Sequence, residues 1–455
     1  MAILQSALNG RLGSGAAYFF SGDHYVAFDW TRPTTGGGAS FKGRAVGGPY
    51  PIADAWSLPL DMQIVGNNAS FDACLSSPPG GAPAYAVGQM YLFKNASYAR
   101  YAYDDPAVRL PTAAGTVASW KLRGDFTSGV HGAMNGKRSR LGYAYFFKGP
   151  NYSRYHWPSE QAEAGYPKQI STLVAMPAEF WGGVDAAVDG DIDFADYSYL
   201  FVNDVYCRFN WVDVKVDNGP HKVWQNWPGV QELLLAAHAK PVALTWLADA
   251  ANQLNFYAGE LTSGIPSPFD TALMARALQT HFHIAPTTPT AARLASIAQI
   301  SARLAQLVAT LTQLHNHIVF HDDGEVRAGN PDYVEADGSP KYRAYTPHNG
   351  PIHLTSRFFR MCPDEFVAAA VLIHEAIHLL DPGADLYHDS PEWYVTGQPL
   401  LQYPRPDGTT YTVPYYDRLT TADALHNPSS FNAFAQHVHF TNDRRLGVEV
   451  LRPGY

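Results

Sequence analysis

Four stretches in the first half align without gaps, and they constrain the fold more than any other feature of the chain. They are residues 18–30, 91–103, 145–157 and 199–211. Tyrosine stands first and eighth in every copy, as Tyr18 and Tyr25, Tyr91 and Tyr98, Tyr145 and Tyr152, Tyr199 and Tyr206. Phenylalanine stands third, as Phe20, Phe93, Phe147 and Phe201, and an aromatic residue closes each copy, as Trp30, Tyr103, Trp157 and Trp211. Alternating aromatics that run into a Gly, Asn or Asp tip and then alternate again predict strand, turn, strand. One such hairpin cannot bury its apolar face alone, so recurring copies must pack on one another. The last three copies start at even steps. The step from the first to the second is longer and contains residues 34–40 and 77–81, rich in Gly, Ser, Thr and Pro, which read as surface loop insertions.

The tenth place of the motif is Arg100, Arg154 and Arg208, but Ala27 in the first copy. This hairpin resembles the hemopexin-like repeat. Residues 71–73 (Phe-Asp-Ala) and 184–187 (Val-Asp-Ala-Ala) resemble that repeat's opening strand, and residues 130–132 are a degenerate version. The resemblance covers about residues 5–228 and implies an all-β four-bladed propeller. Its relatives include haem carriers, matrix-protease exosites and small polyamine-binding seed proteins. The resemblance therefore implies a surface for a protein partner or small ligand, and a structural ion in the central channel. Haem capture in that family uses two propellers, and this chain has one. Most of the repeated aromatics need no role beyond core packing, and the tenth-place arginines read as structural too.

Composition excludes several classes. The chain has 455 residues, enough for two or three domains, with 46% hydrophobic and 16% charged residues. It is globular rather than disordered. A net charge of -9 disfavours nucleic acid, whose phosphates want a basic face. Cys74, Cys207 and Cys362 are too few and too scattered for a disulfide framework. The first residues lack a basic region and a long apolar core, and no apolar run approaches a membrane span. The expectation is synthesis in the cytoplasm, with any export proceeding without a cleaved leader.

The chemistry-bearing stretch is residues 361–381, centred on His374-Glu375-x-x-His378. On a helix, residues four apart lie one turn above each other on one face, so both imidazoles can reach one zinc ion. Glu375 stands beside the metal and can take a proton from the attacking water. Zinc brings the pKa of a water it holds to about 7. Asp364 precedes an almost wholly apolar run and reads as the N-cap. A buried helix bearing His, Glu and His needs compensation, since each unpaired buried polar group costs about 1–3 kcal/mol.

A third ligand and an open position are also required. The metzincin spacing would need histidine at position 384, which is Ala384. Three pieces resemble the aspzincin metallopeptidases, which include deuterolysin and the lysine-specific metalloendopeptidases. These are the lead-in Cys362, Pro363 and Phe366, the helix itself, and residues 427–435 (Asn-Pro-Ser-Ser-Phe-Asn-Ala-Phe-Ala). By that resemblance an Asp shortly after the helix is the third ligand. Asp389 matches it, with Asp385 as the alternative. The family's Tyr, which steadies the oxyanion, falls on Glu392, and no Gly follows. Tyr387, Tyr394, Tyr415 and Tyr416 stand nearby. Disulfides usually accompany the secreted members, another departure.

The rest of the second half reads as mostly helical. Residues 231–260 have helical spacing broken at Pro241, residues 270–281 form a helix capped by Asp270, and residues 290–316 form a long amphipathic one. His281, His283, His315, His317 and His321 read as polar faces and helix ends. Residues 318–320 and 352–356 look like short strands. Residues 324–350 and 396–413 read as long loops. The expected architecture is thus a propeller over residues 5–228 and a mainly α (α+β) zincin-like metallopeptidase domain over residues 229–455. The expected activity is zinc-dependent endopeptidase, with His374, His378 and Asp389 on the metal and Glu375 as general base. The propeller would hold a protein or peptide substrate or a partner. The alternative is a non-catalytic binding protein for haem, polyamine or protein, carrying an inactive zincin domain.

Overall fold

A computed structural model describes residues 4–11, 13–32, 43–64, 70–76, 78, 80–103, 108–329, 334, 339–340, 342–347, 350–381, 401–404, 410–413, 416 and 419–444. The chain divides into two compact units, residues 1–235 with 320–341, and residues 236–319 with 342–455.

The N-terminal half is all-β and built of four antiparallel sheets. The first holds β1 (Ser6–Asn9), β2 (Ala16–Ser21), β3 (His24–Asp29) and β4 (Arg44–Pro51). The second holds β5 (Ala73–Leu75), β6 (Gln89–Lys94), β7 (Ser97–Ala102) and β8 (Ala113–Thr116). The third holds β9 (Gly132–Asn135), β10 (Tyr143–Lys148), β11 (Asn151–His156) and the short β12 (Gln161–Ala162) and β13 (Lys168–Gln169). The fourth holds β14 (Ala186–Asp189), β15 (Tyr197–Val202), β16 (Val205–Asn210) and β17 (Lys215–Lys222).

Each repeated stretch lies along the central hairpin of one sheet, and the register explains its spacing. Third-place Phe pairs with eighth-place Tyr across every hairpin: Phe20 with Tyr25, Phe93 with Tyr98, Phe147 with Tyr152, Phe201 with Tyr206. First-place Tyr faces tenth-place Arg in the last three copies and Ala27 in the first. Two residues turn each hairpin. The first of them, Gly22, Asn95, Gly149 or Asn203, has φ between 49° and 56°, which Gly and Asn adopt most readily.

Two of the tenth-place arginines, Arg154 and Arg208, make ion pairs and ring contacts within their own sheets. Arg154 pairs with Glu163 and lies over the rings of Tyr143 (4.9 Å) and Tyr166 (5.1 Å). Arg208 pairs with Asp217 at 2.8 Å and lies 4.3 Å over Tyr197. Such contacts tie the outer strand to the hairpin.

The sheets meet along their first strands and through large aromatics. Asn9, Ser76, Asn135 and Asp189 end or follow β1, β5, β9 and β14. They close a ring: Asn9 Nδ2 donates to the Asp189 carbonyl, Asn135 N to Asp189 Oδ2 (3.1 Å), Asn135 Nδ2 to the Ser76 carbonyl (3.0 Å), and Asn9 N to Ser76 Oγ (3.1 Å). Trp227 is fully buried and packs on Phe19 and Phe28 of the first sheet and on Tyr199, Phe201 and Tyr206 of the fourth. Trp120 joins Tyr91 and Phe93 of the second sheet to Phe146 and Tyr155 of the third. Each such pair adds about 0.5–1.5 kcal/mol beyond the area it buries. Burial pushes the hydroxyls of Tyr25, Tyr91 and Tyr206 up to about 12, so they stay protonated at neutral pH. The three cysteines are buried and form no disulfide, and burial raises the Cys74 and Cys207 thiols, which makes them unreactive.

The C-terminal half is mostly helical. After α1 (Val223–Asn226) come α2 (Val230–Ser263), α3 (Thr271–Phe282), α4 (Thr290–Thr312) and α5 (Asp323–Gly329). Then follow α6 (Ser356–Met361), α7 (Glu365–Leu380), α8 (Thr421–Ala424) and α9 (Pro428–Phe440). A small sheet has the order β18 (Ile318–Phe320), β20 (Ile352–Leu354), β19 (Ala344–Tyr345).

Two expectations need correcting. α2 does not break at Pro241 but runs through it. Proline in a helix costs about 3 kcal/mol. Leu233, Leu234 and Ala237 before it, and Trp246, Leu247 and Ala250 after it, are all fully buried, and one continuous buried face outweighs that cost. Neither long segment is all loop: α5 and β19 fall in residues 324–350, and the antiparallel pair β21 (Leu401–Pro404) and β22 (Thr410–Val413) falls in residues 396–413. Asp322 Oδ1 accepts from the backbone N–H of Gly324 (3.0 Å) and Glu325 (2.9 Å), an N-cap that starts α5. α4 is long and apolar enough to cross a membrane by length and composition. Its buried positions Ile297, Ile300, Leu304, Leu307 and Leu311 recur at helical spacing, as on a core helix.

Candidate metal centre

α7 begins where expected. Asp364 Oδ1 accepts from Val367 N at 2.9 Å. Ala368, Ala369 and Ala370 are fully buried, and their small side chains let α4 and α9 pack close to α7. At the other end, Arg303 donates to the Leu380 carbonyl at 2.9 Å and to Asp381 Oδ2 at 2.8 Å. A cation there satisfies a last-turn carbonyl and complements the helix dipole. Asp381 Oδ2 also lies 2.8 Å from His426 Nδ1. That carboxylate serves the end of the helix.

His374 is half-buried, whereas Glu375 and His378 are buried. The helix brings the two imidazoles together, with Nε2 to Nε2 at 3.3 Å. Two nitrogens bound to one tetrahedral zinc at about 2.0–2.1 Å stand about 3.3–3.4 Å apart. A direct N–H···N bond would usually be shorter, near 2.7–3.2 Å by analogy with N–H···O. The spacing is compatible with two ligands of one zinc, as it is with a long N–H···N hydrogen bond.

Two neighbours hold this constellation, and neither stood out in the sequence as a site residue. Thr346 Oγ1 donates to Glu375 Oε2 at 2.8 Å and lies 3.1 Å from the Glu375 carbonyl. Ser429 Oγ lies 3.2 Å from His374 Nδ1. A partner on the far nitrogen fixes the tautomer and turns Nε2 toward a metal. Thr346 follows β19, an edge strand of the small sheet. Ser429 sits in the first turn of α9, where Asn427 Oδ1 caps Ser429 N at 2.9 Å and Pro428 takes the first helical position. The signal for Ser429 was the stretch 427–435. For Thr346 it was only the length of the segment that contains it.

Asp389 and Asp385, the expected third ligands, lie outside the described residues, as do Tyr387, Glu392, Tyr394 and Tyr415. Tyr416 is described and bonds His281 instead, with its hydroxyl 2.7 Å from Nδ1.

Comparison with known proteins bears on the β half. A family model described as Hemopexin matches residues 137–178, which fall on the third sheet. Among solved structures, the chain is similar to a plant albumin from Cicer arietinum showing hemagglutination, at 20% identity over 50% of this chain and 96% of that one, with a TM-score of 0.40. It is similar to the seed albumin LS24 from Lathyrus sativus, at 20% identity over 51% of this chain and 97% of that one, TM-score 0.40. It is also similar to the hemopexin fold protein CP4 from cow pea, at 18% identity over 50% of this chain and 96% of that one, TM-score 0.39. No curated protein matches the chain.

Proposed function

We propose that this chain is a zinc-dependent endopeptidase whose β half is a four-bladed hemopexin-like propeller that holds a substrate or partner. The observation that carries the enzymatic part is the 3.3 Å separation of His374 Nε2 and His378 Nε2, with Glu375 in the same helical turn. His374, His378 and an Asp of the segment after α7, Asp389 or Asp385, would hold the ion. Zinc, when bound, supplies Lewis acidity and lets water attack at neutral pH. Glu375 takes the proton of the attacking water and delivers it to the leaving amine. Thr346 keeps Oε2 of that carboxylate occupied, which leaves Oε1 to move the proton. Among the described residues β19 lies at one edge of the small sheet, where an extended peptide would align.

The propeller part is supported by the ring of hydrogen bonds through Asn9, Ser76, Asn135 and Asp189, and by Trp227, which joins the fourth sheet to the first. Such a module adds local concentration rather than chemistry.

The test is digestion of casein and a peptide library by the purified full chain and by Glu375→Gln. The parent should cleave. The variant should keep its zinc and lose activity by about 10²–10⁴-fold. A variant as active as the parent would refute the role of Glu375. One observation favours a second reading, a binding protein with an inactive zincin domain: Glu392 stands where the aspzincins have their oxyanion-steadying Tyr. In that case zinc binds but neither protein cleaves.

A further inference from the structure

We propose that the second unit holds a second divalent cation, at His281, His437 and Asp443, and that this site suits six-coordinate ions rather than tetrahedral zinc. The inference stands apart from the peptidase reading, since it uses none of the same side chains. His281 lies in the last turn of α3, His437 in the third turn of α9, and Asp443 just beyond α9. One donor atom from each lies within 4.8 Å of the other two.

His281 is fully buried, not on the polar face its sequence position suggested. Its Nδ1 lies 2.7 Å from the Tyr416 hydroxyl, and Tyr416 is held in turn by His283 Nε2, 3.0 Å from its carbonyl. With Nδ1–H donated to that hydroxyl, the lone pair of Nε2 points at the other two groups. Metal-binding histidines are held in this way. His281 Nε2 is 2.9 Å from His437 Nδ1, with the rings at 86°, and 3.9 Å from Asp443 Oδ1.

The nitrogen spacing is compatible with a six-coordinate ion. At a metal–nitrogen distance of about 2.1 Å, 2.9 Å between donors subtends about 90°, the cis angle of a six-coordinate ion. A tetrahedral ion needs the wider 3.3 Å found between His374 and His378. The carboxylate stands roughly an ångström farther from His281 than His437 does, and its side chain is 31% exposed, so rotation brings it in. Two nitrogens and one carboxylate leave positions for water, as nickel, cobalt, iron and manganese accept. The site is distinct from the one on α7: Ser429 and His437 are about 12 Å apart along α9. The competing account is a plain N–H···N hydrogen bond between the two histidines with no ion.

Cobalt(II) titration of the chelator-stripped full chain separates the two. The measurement is made in the His378→Ala background, so that it does not depend on the α7 site. The proposal predicts one equivalent bound, with the weak visible absorption of six-coordinate cobalt. Adding Asp443→Asn, a change near the surface, should weaken binding at least tenfold, and His437→Gln should abolish it. Circular dichroism melts check that both variants fold. Failure of the His378→Ala protein to bind cobalt, strong tetrahedral absorption, or equal binding by the Asp443→Asn protein would overturn the proposal. Loss of metal from the parent's α7 site alone would bear only on the peptidase reading.

Discussion

In the β half, Tyr and Phe recur at matched places in four sheets, with the same cross-strand register each time. Phe pairs with Tyr across the hairpin, and a large aromatic fills the space between sheets. In the helical half no residue recurs. There the polar side chains of distant segments converge: Thr346 on Glu375, Ser429 on His374, Tyr416 and His437 on His281. Repetition builds a frame from local, redundant contacts, so that each copy tolerates variation, as Ala27 in place of Arg shows. Convergence builds a site from contacts between segments far apart in the chain.

That contrast can be broken by mutation. The largest effect on stability should come from the seam between first and last sheets. Trp227→Ala removes a side chain that packs on six rings there and should cost about 3–5 kcal/mol, read from denaturant unfolding. A loss below 1 kcal/mol would mean that the sheets are not held through that seam. In the helical half, Ser429→Ala should leave the fold intact but lower zinc affinity at least tenfold, read by competition with a chelator. An unchanged affinity would remove Ser429 from the site. Thr346→Val should lower kcat by roughly fivefold with little change in KM, equivalent to about 1 kcal/mol for one hydrogen bond to Glu375. A change in KM alone would place Thr346 on substrate binding instead.

The smallest effect is a pH slope. Burial holds His321 below the ordinary imidazole value; Arg44 adds to the shift, while Glu325 and Asp322 oppose it. The folded chain then takes up that proton less readily than the unfolded chain. Stability contributed by neutral His321 is full above the ordinary value of 6.5 and declines as pH falls below it. Melting temperature followed from about pH 8 to pH 5 should fall less steeply in His321→Gln than in the parent. Parallel curves would contradict the assignment.

The frame was legible because its signal is local. Strands alternate every two residues, and hairpin tips need Gly or Asn, so four hairpins could be placed from their letters. α7 and its Asp364 cap were legible for the same reason. Pro241 misled, because its local cost is visible in sequence while the long buried face of α2 is not. Segment 324–350 misled because a short helix of seven residues carries little periodicity. Thr346 and Ser429 lie 29 and 55 positions from the helix residues they touch, and His281 lies 156 from His437. No local pattern links such pairs; only the packing of α3, α7 and α9 does. The third ligand, Asp389 or Asp385, lies outside the described residues.

The most direct measurement is diffraction at the zinc absorption edge from crystals of the full chain grown with zinc. The account predicts an anomalous peak between His374 and His378, about 2.0–2.1 Å from each Nε2, with a carboxylate of the segment after α7 completing the site. Well-ordered imidazoles hydrogen-bonded to each other, with no peak between them, would contradict it.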